Sequence, residues 1–72
     1  MNQNCTTPQE RVQVEKNELT IKLNALEVML SKSQPHFISD AQWKLLHEQQ
    51  KHMKAYKQVL EERLALFSLA LT

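Results

Sequence analysis

The sequence predicts an all-α protein, an antiparallel two-helix hairpin that associates into a helical-bundle homo-oligomer. Three observations lead there. The 72-residue chain has no glycine, the residue on which tight β-turns and phosphate-cradling loops depend for close approach and unusual dihedrals. Two helix starts, at Thr7 and Ser39, flank a proline-containing break. Apolar residues recur at helical spacing on two faces, where a helix of a solitary hairpin needs only one.

The first start is Thr7-Pro8-Gln9-Glu10. Thr7 caps the free backbone N–H groups, Pro8 occupies the first helical position, where its missing donor costs nothing, and Glu10 completes a capping box. Residues 1–7 are expected to form a disordered or loosely packed tail, and 8–72 the hairpin. Helix is predicted over about residues 8–32, until Ser33-Gln34-Pro35 stops it, because the residue before a proline disfavours the helical region. The link covers 33–39. Ser39 opens the second helix with Gln42 three residues on, and Ile38 and Trp43 hold the two positions of a hydrophobic staple. That helix runs over about residues 40–71 with no breaker. A link this short makes the two helices antiparallel neighbours.

On helix 1, Val12, Leu19, Leu23, Leu26 and Leu30 form one stripe, and Val14, Ile21 and Val28, spaced by seven, form another on nearly the opposite side. On helix 2, Leu46, Met53, Leu60, Leu64 and Phe67 form the main stripe, with Leu45, Val59 and Leu66 about a quarter-turn away. The short link sets Leu30 against the Trp43–Leu46 turn, Leu23 against Met53, and Val12 near Leu60–Leu64. Val14, Ile21, Val28, Leu66, Phe67, Leu69 and Leu71 then remain as the expected surface for self-association, since an exposed apolar patch of this kind marks an interface.

Several functions are excluded. Cys5 is the only cysteine, so no disulfide can form within the chain, and a lone tail thiol fits a reducing compartment. No basic segment followed by an apolar run opens the chain, and the longest apolar stretch, Leu64–Leu71, is under half of the ~20 residues a membrane span needs. The expected location is the cytoplasm of whatever cell makes the protein. His47 and His52 are five apart, about 140° around a helix, so they cannot share a metal from one face. Neither metal nor cofactor is expected. Glu15 and Glu18 sit among Arg11, Lys16 and Lys22 as solvated helix charges, and no nucleophile, acid or base can be assembled from spacing. The chain reads as a non-enzyme.

One polar line stands out. Lys44, His47, Lys51 and Lys54 recur at helical spacing on helix 2, with Gln58 extending the line and Lys57 at its margin. Such a line is either an anion site or a solvated face that keeps an oligomer soluble. The net charge is only +1, arginines are few and aromatics do not interleave with the lysines, so nucleic acid is not the expected partner. Tyr56 and His47 are the aromatic candidates for stacking on a base.

The run Glu10-Arg11-Val12-Gln13-Val14-Glu15-Lys16-Asn17-Glu18-Leu19, continued by Leu23 and Leu26, resembles the opening "ERV..EK.EL..KL..L" of a family of very small helical-hairpin proteins encoded by tailed phages, including crAss-like phages, and by prophages. Phe37, Gln49, Met53, Tyr56, Leu60, Arg63 and Leu64 are similar to the family's second half. Leu64 stands where that pattern has isoleucine, and Ser68–Thr72 lies outside it. The resemblance spans residues 10–67 and implies a phage-derived hairpin, with no catalytic motif to transfer, and it narrows the expected location to the cytoplasm of a bacterial host.

Together these readings predict a non-enzymatic phage or prophage accessory protein that inhibits a host defence by binding. It would either sequester a cyclic-nucleotide immune signal or mask a defence protein. A structural or regulatory coiled-coil module without a small ligand is the alternative.

Overall fold

A computed structural model describes residues 7–71 of the chain. Two helices account for nearly all of them, α1 over Pro8–Leu30 and α2 over Asp40–Leu71, and they pack against each other. No strand occurs among the described residues.

The start of α1 is the capping box that the sequence predicts. Thr7 is extended at φ −119° and ψ 153°, its Oγ1 accepts from the Glu10 N–H at 3.1 Å, and Glu10 Oε1 accepts from the Thr7 N–H at 3.1 Å. Two backbone donors that a helix start otherwise leaves orphaned are satisfied in this way. The far end of α1 comes two residues before the expected Lys32. Ser31 N–H still reaches Glu27 O at 3.0 Å, Lys32 N–H turns back to Met29 O at 3.2 Å, and the Ser31 hydroxyl donates to Val28 O at 2.7 Å. The last carbonyls are thus closed by a tightened turn, so the helix stops before Pro35 comes into play.

Gln34 fastens the link. Its Nε2 donates to Ile38 O at 2.8 Å and to Asp40 Oδ1 at 2.9 Å, tying the end of the link to the first turn of α2. Ser39 Oγ accepts from the Gln42 N–H at 3.1 Å, and Trp43 N–H donates to Ser39 O at 2.9 Å. Ser39 is therefore the cap of α2.

The core lies along one seam. Val12, Leu19, Leu23 and Leu26 of α1 and Leu60 of α2 are buried, Leu60 completely. Met53, Leu64 and Phe67 pack against the Val12, Leu19 and Leu60 cluster, which places Val12 in the Leu60–Leu64 region as expected. Burying one such side chain contributes roughly 1.5–3 kcal/mol, so this is a thin core for a chain of this length. The molecule measures 51 × 28 × 16 Å, a layer one helix thick. Val14, Ile21 and Val28 on α1 and Leu45, Val59, Leu66 and Leu69 on α2 stay exposed. No helix among the described residues is long and apolar enough to cross a membrane.

Candidate ligand-binding groove

Two packed cylinders leave a furrow on each side of their contact line. On one side it widens into a groove of about 400 Å³, floored by Leu23 and lined by Asn24 and Glu27 from α1 and Lys54, Lys57, Gln58 and Glu61 from α2. Three cross-helix contacts shape it. Lys54 Nζ lies 3.3 Å from Glu27 Oε2, Gln50 Nε2 donates to the same oxygen at 3.3 Å, and Lys16 Nζ lies 3.9 Å from Glu61 Oε2. Lys54 is more than half exposed, so its ion pair adds little stability. Its consequence is positional: it holds an ammonium at the groove mouth.

The two banks differ in chemistry. On α2, Lys44, His47, Lys51, Lys54 and Gln58 follow one another at helical spacing, so one flank carries three ammonium groups. On α1, Gln13, Asn17, Thr20 and Asn24 do the same with no charge among them. Gln13 Nε2 donates to Asn17 Oδ1 at 3.0 Å, and the Thr20 hydroxyl donates to Lys16 O at 2.7 Å. Within the groove Lys54 and Lys57 offer positive charge to anionic oxygens, Asn24 and Gln58 offer amides that both donate and accept, and Glu27 and Glu61 add one carboxylate from each helix. At the link end of the lysine bank, the His47 and Trp43 rings meet edge to face with centroids 5.4 Å apart, which braces an exposed imidazole beside the ammonium line.

Residues 6–66 match the sequence model of the Sequestin family. The chain belongs to the Sequestin family. The match runs from the cap of α1 to Leu66, so it takes in the whole groove and both banks. The family name is consistent with a sequestering function. No curated protein and no solved structure matches the chain.

In this Sequestin hairpin one of the sequence-predicted binding residues lies in the groove. Lys54 lines the groove, and Lys44, His47 and Lys51 extend the same flank as exposed side chains. Tyr56, two residues beyond Lys54 and therefore about 200° further round the helix, is not among the groove residues. Of the predicted association surface, Val14, Ile21, Val28, Leu66 and Leu69 are exposed, whereas Phe67 is half-buried against the hairpin's own core. With Arg63 and Leu66, Phe67 also lines a second hollow of about 330 Å³ at the open end. The Leu71 side chain and Cys5 lie outside the described residues. No cluster of three or more His, Cys, Asp or Glu among the described residues is arranged to hold a metal.

Sequence reasoning passed over the residues that shape the groove, namely Lys16, Asn24, Glu27 and Glu61. Asn24, Glu27 and Glu61 each follow a buried leucine in the chain, Lys16 stands between Glu15 and Asn17, and all four read as ordinary surface residues. The signal was present in the register: with Val12 opposite the Leu60–Leu64 turn, Lys16 faces Glu61 and Glu27 faces the Gln50–Lys54 turn.

Proposed function

We propose that this protein is a non-enzymatic phage or prophage accessory protein that sequesters a cyclic-nucleotide immune signal of its bacterial host. It holds the signal in the groove between α1 and α2, in the host cytoplasm. The observation that carries this reading is a groove that sets Lys54 and Lys57 beside the amides of Asn24 and Gln58 over a leucine floor. Lys44, Lys51 and Lys54 meet phosphate oxygens. Asn24 and Gln58 meet base edges or ribose hydroxyls, which present donors and acceptors together and so suit amides. Leu23 lies under a ring face. Membership of a family named for sequestration supports binding over catalysis. A furrow that brings ammonium and amide groups together over an apolar floor favours a small ligand over masking of a defence protein. The reading also has the chain working as a homo-oligomer, since Val14, Ile21 and Val28 are exposed apolar residues on the far side of α1 from its core.

The test is recovery of the ligand. The purified protein is mixed with a panel of cyclic di- and trinucleotides, freed of unbound ligand and heated. A sequestering protein releases one of them at unchanged mass and in stoichiometric amount. Retention of none overturns the proposal, and release of a cleaved product overturns its non-enzymatic part.

A further inference from the structure

The outer edges of the hairpin carry a second pattern beyond the groove. On α1, Arg11, Val14, Glu18, Ile21, Ala25 and Val28 alternate at spacings of three and four, the repeat of a coiled-coil seam. On α2, Leu45, Glu48, His52, Ala55, Val59 and Glu62 alternate in the same way. Neither seam faces the hairpin's own contact line: Ile21 is 70% exposed, Leu45 61% and Val59 51%. From first residue to last, each seam spans the same rise, about 26 Å at 1.5 Å per residue.

We infer that the α1 seam of one copy packs antiparallel against the α2 seam of a second copy, in one register. That register sets Val14 opposite the partner's Val59, Ile21 opposite the partner's His52 and Val28 opposite the partner's Leu45. Charge selects it. Arg11 then meets the partner's Glu62, Glu18 meets the partner's Ala55, and Ala25 meets the partner's Glu48. Sliding by one heptad either way sets Glu18 against the partner's Glu48 or the partner's Glu62, and two carboxylates facing each other in a seam repel. A surface this same chain carries thus matches the α1 seam in length and spacing, pairs Arg11 with Glu62 and avoids facing carboxylates, which identifies the occupant as a second copy. Each copy offers one seam of each kind, so the contact is heterologous and the assembly closes as a ring or grows as a line.

The inference rests on the reading that the chain self-associates, and one experiment separates the two. Cys5→Ser/Val14→Cys and Cys5→Ser/Val59→Cys are prepared singly, mixed and oxidised, with native mass measured beforehand. The expected result is a disulfide-linked species of twice the 8.4 kDa chain mass that forms at least tenfold more in the mixture than in either variant alone. Fully unlinked chains within an assembly of several times 8.4 kDa overturn this pairing and leave self-association standing. So do links formed equally well by either variant alone. A native mass of 8.4 kDa for the parent and both variants overturns both. A third variant, Arg11→Glu, guards against a fold defect: it should keep the parent's helical spectrum while lowering the native mass, and restoration of the mass by Glu62→Arg on the same chain is expected. Failure of that restoration counts against the register.

Discussion

The two apolar stripes of α1 differ little in composition and have opposite fates. Val12, Leu19, Leu23 and Leu26 are buried against α2, while Val14, Ile21 and Val28 are at least two-fifths exposed. Residue type does not separate them, because all are branched aliphatics at helical spacing. What separates them is the link: Gln34, Pro35 and Ser39 turn the chain so that α2 returns along one side only. Periodicity therefore states which faces require burial, and the connection decides which one the chain itself can cover.

Substitutions on the two stripes sharpen this contrast. The largest expected effect is on the inner one. Leu60→Ala removes the only completely buried side chain named in the core, and leucine-to-alanine cavities cost about 2–5 kcal/mol. With so thin a core, the helical signal should be lost or its melting temperature should fall by well over 10 °C, as measured by circular dichroism. On the outer stripe, Ile21→Asp should leave the hairpin's own contacts intact but replace an apolar side chain with a carboxylate at the proposed association surface, whose desolvation there costs several kcal/mol. Native mass should fall to 8.4 kDa, and the melting temperature should lose its dependence on protein concentration. An unchanged mass for Ile21→Asp would mean that the outer stripe is merely exposed.

Smaller effects come from the ends and the groove. Thr7→Ala removes the hydroxyl that accepts from Glu10 N–H and should destabilise the hairpin by about 1 kcal/mol, a shift of roughly 4–8 °C for a domain of this size. Lys44→Gln, Lys51→Gln and Lys54→Gln combined should change stability least, within about 0.5 kcal/mol per exposed position. Lys54 is the one with a cross-helix partner, so a loss confined to its single variant would measure the Glu27 contact.

How far the molecule could be read in advance follows the same division. The capping box at Thr7, the Ser39 cap, the buried face of α1 and the exposed Val14, Ile21 and Val28 were legible, because each depends on local chemistry or on the period of one helix. The end of α1 at Leu30 was not, because it lies where the Lys32 N–H turns back to Met29 O, with the Ser31 hydroxyl on Val28 O, in place of two more residues of helix. Phe67 reads both as the last residue of the main stripe of α2 and as part of the association surface; the structure packs it against Val12, Leu19 and Leu60, in keeping with the stripe. The groove was half legible. Its lysine bank lies on one helix and shows as a period. Asn24, Glu27 and Glu61 become neighbours of Lys54 only when two helices are set in register.

The central claim is that the groove face binds an anionic nucleotide through its lysine bank. Calorimetric titration of a cyclic di- and trinucleotide panel into the parent and into the combined Lys44→Gln, Lys51→Gln, Lys54→Gln variant tests it most directly. Charge-assisted hydrogen bonds contribute about 1.5–3 kcal/mol each, so losing even two should weaken binding by at least a hundredfold. The account predicts saturable binding of at least one nucleotide to the parent and none measurable to the variant, with the two proteins alike in melting temperature and mass. Equal binding by both proteins, or no binding by the parent, would contradict it.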